Sequence, residues 1–509
     1  MPVNPASICR TLVLVGLVFA LAACGGDGGG PTPSPEAQVS TLAYVVTRCH
    51  EDKGGRNSSF SQTLWIRQGD REPVKIKEFA LGQPALGGLC HKWGQSRAGT
   101  VIPLIGAVQR MRFTADGGQF LFELTDDFSV NAHVIPEDQQ GIFAVRSDGT
   151  GLRKIAPHSQ DPCMLAYWPC VFNPSAAECA SCAAAQSQCF FGASPDGSRI
   201  AFADLGPSLS GEEASQVFTL DLNTGERQQV TRLPLVPVSP ACIGQETDCV
   251  FPSKHPITYP YFLGNTTIAY QRGRGCSTFG GGTFTVNADG TEEPKAVPVV
   301  ALPGGAVVPV FQITGDPYPA VATLPGIPEN GFSNVAGNVI IEVFVVEPPG
   351  TVQLPEGRVL QLTNFGRSDT YSPAMSVDWQ RVLFNASDDP LGTNPSKQCQ
   401  IFSIDRLGGD LRQLTFVTAS GGTRRNCEDF TSPGCTMLRR GIDMITGSVL
   451  FSSTCDPVGR NPTGADQFFA IRPDGSGLVQ LIETEGIVRH PDGGIDVEMA
   501  WAMVPTRVR

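Results

Sequence analysis

Charge is sparse in this 509-residue chain: Asp, Glu, Lys and Arg make up only 17% of it, and their balance is −12. The sequence holds no run of Lys and Arg. That excludes nucleic acid and an anionic lipid surface as electrostatic partners, since both need clustered cations. A membrane-spanning helix is excluded too, because the apolar run Thr11 to Ala20 (TLVLVGLVFA) falls well short of the roughly 20 residues that a bilayer core demands. Phosphate loops and dinucleotide fingerprints are absent. So is the G-x-S-x-G nucleophile pattern, since Gly192-Ala193-Ser194 runs on into Pro195-Asp196. The Asp-Gly pairs at Asp148, Asp196, Asp289 and Asp474 lack the acidic series and later Glu of a calcium loop, so they read as turn residues.

What is plentiful is Gly (57) and Pro (41), beside a hydrophobic fraction of 41%. That fraction is enough for a sizeable core. The Gly and Pro content is that of a turn-rich β protein, because each tight turn needs a residue with special φ or ψ. Length alone permits several domains, although all-β barrels and propellers of this size also fold as one.

Residues 1–23 read as a processing signal. Arg10 supplies the positive charge, Thr11 to Ala20 the short apolar region, and Leu21-Ala22-Ala23-Cys24 the close, with cleavage between Ala23 and Cys24. This close resembles the bacterial lipobox, and the resemblance implies that the Cys24 thiol carries the lipid. Gly25 after it implies passage to the outer membrane, with the protein facing the periplasm or the cell surface. Residues 24–40, rich in Gly and Pro, read as a flexible tether, so the only membrane contact expected is the lipid.

Sixteen cysteines fit an oxidising compartment. Setting aside Cys9 in the signal and Cys24 on the lipid leaves fourteen, an even number that points to disulfides stapling loop insertions. The candidate pairs are Cys49 with Cys90, Cys242 with Cys249, and Cys427 with Cys435. Cys163, Cys170, Cys179, Cys182 and Cys189 lie in one long insertion. Their single C-x-x-C has no second pair for zinc, and Ala183 stands where haem attachment needs His. His50 and His91 each follow a candidate disulfide cysteine and read as its neighbours, while His133, His158, His255 and His490 are scattered. No metal, cofactor or catalytic residue is assigned.

A repeat runs along the chain. Its clearest copy, Phe190 to Leu233, holds FFGASPDGSRIAFAD and QVFTLDLNTGERQQVTRL, that is, strand, Asp-Gly turn, strand, then strand, Asn-Thr-Gly turn, strand. Other copies pair Arg110–Leu124 with Gly141–Ile155, Thr266–Gly273 with Gly282–Val297, Tyr371–Ser387 with Gln400–Thr415, and Gly441–Ser453 with Gln467–Ile482. Weaker ones are Thr41–Arg48 with Thr63–Ile76, and Asn338–Gly350 with Arg358–Phe365. The units resemble the TolB-type propeller repeat, with SPDG-x-x-IAF followed by I-Y-x-x-D-x-x-G and L-T, matched best at Ser194–Phe202 and Ile401–Thr415. The resemblance implies an all-β fold for residues 41–509, a single β-propeller of about seven four-stranded blades. Six or eight copies fit the same residues. The first copy lacks its opening strand, which Gly493 to Val504 is expected to supply, joining the two chain ends in one sheet.

TolB-type proteins hold protein partners, so the resemblance implies a lipid-anchored scaffold binding another envelope protein. The alternatives are a propeller hydrolase or lyase with a metal at its axis, or surface recognition in carbohydrate or adhesion contacts. TolB-type chains also carry an α/β domain before the propeller, where this sequence has only the tether. A prolyl-oligopeptidase type of enzyme would need an α/β-hydrolase domain, for which the chain has no room.

Overall fold

The computed structural model describes residues 36–53, 58–80, 90, 108–124, 135–159, 191–234, 257–272, 282–297, 299–301, 307–309, 312–313, 316–317, 320–325, 341–347, 358–365, 370–418, 427 and 435–506. They are built of β-strands, with a 3-10 turn at Glu137–Gln139. Five four-stranded antiparallel sheets follow one another with strands in chain order. They begin with the strands Val108–Phe113, Gly192–Ala193, Ile257–Phe262, Tyr371–Met375 and Met437–Ile442. A three-stranded sheet, Ala320–Pro325, Ile341–Glu347 and Arg358–Gln361, precedes the one opened by Tyr371–Met375.

The remaining large sheet joins the two ends of the described chain. Ile495–Met503 pairs antiparallel with Thr41–Glu51, from Ala43 opposite Met503 to Glu51 opposite Ile495. Gly486–Arg489 flanks it on one side, with Ser58–Gln68 and Val74–Ala80 on the other. We call this the seam sheet. Its strands alternate strictly. Ala43, Val45 and Cys49 face the core shared with Phe113, Phe120 and Phe122 of the next sheet. Leu42, Tyr44 and Val46 face the opposite core, with Leu450, Phe468 and Ala470 of the sheet opened by Met437–Ile442. A strand apolar on both faces is what a sheet sandwiched between two others requires. Similar clusters join most sheets that are consecutive in the chain, which gives a propeller-like stack.

Two devices recur from sheet to sheet. The second and third strands carry an aromatic pair at directly opposed positions: Phe122 with Phe143, Phe202 with Phe218, Tyr270 with Phe284, Phe384 with Phe402, and Phe451 with Phe469. Their rings stack with centroids 5.4–6.2 Å apart, each such pair adding about 0.5–1.5 kcal/mol beyond the area it buries. In the seam sheet Tyr44 and Trp65 hold these positions. That pair identifies Thr41–Glu51 and Ser58–Gln68 as second and third strands, so Ile495–Met503 takes the missing first place.

The second device is the Asp-Gly turn. Asp196 Oδ1 accepts hydrogen bonds from Ser194 Oγ (2.7 Å) and Ser198 N (3.0 Å), while Gly197 takes φ 69°. That left-handed conformation is why Gly stands there. Asp148, Asp289 and Asp474 each accept from the backbone and hydroxyl of a Thr or Ser two residues on. Their oxygens serve the turn, as the sequence leads one to expect.

Residues 36–40, expected as the end of a flexible tether, are packed against the sheets. Ala37 and Val39 are buried, Ala37 N donates to Gly477 O, and Ser40 Oγ donates to Asp443 Oδ1. Residues 36–40 are thus docked on the sheet opened by Met437–Ile442. Residues 1–35, with Ala23 and Cys24, lie outside the described part.

Candidate functional site

Strand direction divides each sheet into two unlike ends. At one end the first strand meets the second, and the third meets the fourth, mostly through short turns, several of them Asp-Gly or Asn-x-Gly, while ten residues, 348–357, make this connection in the three-stranded sheet. At the other end lie the connections from second to third strand and from one sheet to the next. The connections between described strands that exceed ten residues leave from this second end, which we call the loop end.

A repeated polar clamp holds it together. Thr415 Oγ1 donates to Gln400 Oε1 (2.9 Å), as does Val417 N (3.2 Å), while Gln400 Nε2 donates to Val417 O (2.8 Å). Gln216, Thr231 and Leu233 repeat the same bonds. In the three-stranded sheet Glu342 replaces Gln, accepting from Thr363 Oγ1 and Phe365 N. Each clamp fastens the start of a third strand to the chain leaving the fourth, so backbone groups that would be orphaned there find partners. The Thr is the T of the L-T signature in Leu414-Thr415 and Leu362-Thr363.

The described disulfides belong to this end as well. Cys49 is bonded to Cys90, Cα–Cα 5.7 Å. Cys427 does not pair with Cys435. It is bonded to Cys399 (Cα–Cα 5.6 Å), and Cys435 to Cys455 (4.9 Å). Strand position explains the correction: Cys399 and Cys455 sit where connections between second and third strands end or begin, beside the incoming segment that carries the partner. The bridges therefore tie excursions to sheets instead of closing the short 427–435 loop. Cys242, Cys249, the run Cys163–Cys189, His91, His133 and His255 lie outside the described residues.

Buried charge also gathers here. Glu123 and Arg110 form an ion pair (3.3 Å) with side chains 2% and 4% exposed. Ser159 N donates to Glu123, and Arg110 Nη1 donates to Ala203 O of the next sheet. Burial pushes the Glu123 carboxyl above its usual range, against the pull of Arg110. Fully buried Asp204 pairs with Arg227 (2.5 Å), whose guanidinium lies over Phe218, 4.1 Å from its ring centroid. The first pair links adjacent sheets through Ala203, whereas the second lies within one sheet, where the Arg227 side chain stays 30% exposed.

The exposed cluster lies on the seam. His50, near the end of its strand, is opposite Asp496 in register. Alternation sends Cys49 into the core and His50 outward. His50 Nδ1 lies 2.5 Å from Asp496 Oδ1, and His490 Nε2 lies 2.7 Å from Asp496 Oδ2. Side-chain exposures of 54%, 41% and 36% for His50, Asp496 and His490 leave the group open to solvent. His490 occupies the turn after Gly486–Arg489, held by His490 N to Gly494 O and Gly493 N to His490 O, both 2.9 Å. Burial pushes the Asp496 carboxyl up, but hydrogen bonds and charge from both histidines outweigh it and leave the group below its usual range. Among the described residues this is the one group of three His, Cys, Asp or Glu side chains whose ligating atoms converge, all within 4.8 Å of one another. His158 lies apart from this group, its Nδ1 within hydrogen-bond distance of the carbonyl of Ser159. The Cys-His dipeptide at 49–50 is visible in the sequence, but its link to His490 is not.

No family model matches the chain, and no curated protein resembles it in sequence. Solved structures similar in shape include a prolyl endopeptidase (10% identity, TM-score 0.42), of which the match covers 93% of this chain and 51% of that one. The acylaminoacyl peptidase of Pyrococcus horikoshii matches at 8% identity and TM-score 0.41, covering 89% and 52%. The β-propeller domain of the Trilobed protease from Pyrococcus furiosus matches at 9% and 0.39, covering 89% and 98%. The chain spans about half the length of the two peptidases. Likenesses this distant carry neither a family nor an activity.

Proposed function

We propose that this chain is a lipid-anchored, TolB-like β-propeller of about seven blades, closed by Ile495–Met503, that works as a binding scaffold in the bacterial envelope. Cys24 is its anchor, and its partner is another envelope protein that docks on the loop end. One observation supports this above all: the connections between described strands that exceed ten residues and the described disulfides share one end of the sheets, whereas most of the other end is closed by short turns. A rigid scaffold offering elaborated loops on one side is the usual architecture of a recognition surface.

Exposed apolar side chains supply the test. Leu209 (74% exposed) and Phe416 (63%) stand at the loop end, and Leu407 (57%) lies in a turn at the opposite end. A photo-crosslinking residue placed at each position in intact cells should give the same discrete protein adduct from 209 and 416, and none from 407. Cys24→Ser should weaken that adduct by releasing the scaffold from the membrane. Equal labelling from all three positions, or labelling from 407 alone, would refute the assignment of the face.

A further inference from the structure

We propose that His50, His490 and Asp496 form a binding site for a divalent transition metal of the zinc class, and that the metal clips the two ends of the folded chain together. The donor set argues for the class. Two imidazole nitrogens with one carboxylate suit zinc, nickel, cobalt or copper, whereas calcium and magnesium prefer oxygen donors throughout. Convergence argues for a built site. Asp496 stands between the rings, one oxygen toward each, and the ring centroids are 6.5 Å apart with the planes inclined at 58°. A metal ion would replace the two protons that these hydrogen bonds now share.

The backbone fixes all three donors. His50 and Asp496 are cross-strand partners in the paired seam. His490 is held by the turn His490–Gly494, in which Gly493 takes φ 90° and a Cβ at that position would meet the Lys53 side chain at 3.0 Å. The turn is packed against the end of the His50 strand, so the rings approach without ordering a loose loop. Little entropy remains to be lost on binding. Three protein donors leave the fourth tetrahedral position to solvent.

The consequence is topological. His50 and Asp496 are 446 positions apart in the chain, so a metal shared between them closes almost the whole folded chain. It does so at the edge where the terminal strands pair. The proposal rests on the observed pairing of those strands and not on the identity of any partner.

Zinc chloride is the probe, with the full chain stripped of metal by chelation and dialysed. The wild type is expected to retain zinc and to melt at higher temperature when zinc is present, while calcium does neither. The His50→Ala/His490→Ala double variant should bind one zinc fewer per chain and lose the zinc-dependent rise. Its metal-free melting should change little, since His50 is exposed and His490 only partly buried. If that variant melts poorly even without metal, His490→Gln alone carries the comparison. A variant that binds zinc with the same stoichiometry and affinity as the wild type would overturn the proposal, as would a wild type that takes up none at micromolar concentration.

Discussion

Removing the C-terminal strand should unfold this protein, although that strand is a small fraction of the chain. A chain ending at Thr484 loses Gly486–Arg489 and Ile495–Met503 together. It thereby loses Ile495, Val497, Met499 and Val504, which are at most 8% exposed and sit in the cores on the two faces of the seam sheet. At about 1.5–3 kcal/mol for each fully buried side chain, these four account for about 6–12 kcal/mol as an upper estimate. Total stabilities are commonly about 5–15 kcal/mol. The loss is therefore of the same order as the whole. It also leaves Thr41–Glu51 as an unpaired, largely apolar edge, a template for aggregation. The assay is thermal melting with sedimentation of the purified truncated chain. Ile487→Ser serves as the control, because Ile487 is 42% exposed and should cost little. A truncated chain that stays monomeric and melts within a few degrees of the full chain would refute the reasoning.

The clamps should be strongly cooperative. Gln400→Met keeps volume but leaves Val417 N and O without the partners they have now, at about 1–3 kcal/mol for each orphaned buried group. Thr415→Val added to it should cost less than the sum of the single changes, and strict additivity in urea denaturation would contradict the shared network. The Asp-Gly turns predict acid sensitivity. In Asp474, and in Asp378 of the equivalent Asp378-Trp379 turn, hydrogen bonds from Ser476 and Ser376 hold the carboxyl below its usual range. In Asp196 burial acts upward, but the bonds from Ser194 and Ser198 prevail. A depressed folded-state value gives stability that is present above the unfolded value and lost as pH falls through the folded one. The melting temperature should therefore drop as pH falls below about 4. Asp474→Asn should flatten that drop, and an unchanged pH profile in the variant would count against it.

How much of this could be read from the sequence depends on the range of the interaction. Asp196-Gly197 and Asn223-Thr224-Gly225 announce their turns because a carboxylate or amide bonds to backbone two or three residues away. Strand alternation in LAYVVTRC is equally local, so both the seam strand and its expected partner, Gly493 to Val504, could be picked out. The aromatic pairs were visible in principle: every well-formed copy carries a ring in its second and its third strand. They acquire meaning only once the register places Phe202 opposite Phe218. Disulfides failed at Cys427 and Cys435, where nearness in sequence was a poor guide to nearness in space. The true partners, Cys399 and Cys455, are fixed by which connection returns to which sheet. His50, His490 and Asp496 were beyond reach for the same reason, since only the seam register brings them together.

The two ends of the sheets differ in how their polar groups are satisfied, and this makes their behaviour separable. Within the turns the bonds run between residues close in sequence, as from Ser476 to Asp474, so a lost carboxylate there is felt mainly within one hairpin, while residues 36–40 dock on the same end through Asp443 and Gly477. At the loop end the bonds and bridges span tens to hundreds of positions, from Gln400 to Val417, Cys399 to Cys427, and His50 to Asp496. A change there alters how one sheet is held to the next, or how the chain ends are held together. Acid that protonates the turn carboxylates should loosen hairpins locally before the stack fails. Rupture of the seam should instead release the stack as a unit, because both neighbouring cores lose one wall. Hydrogen exchange distinguishes the two routes: mild acid should first expose amides at 197–199 and 475–477, whereas Val497→Asp should expose amides in the cores on both sides of the seam together.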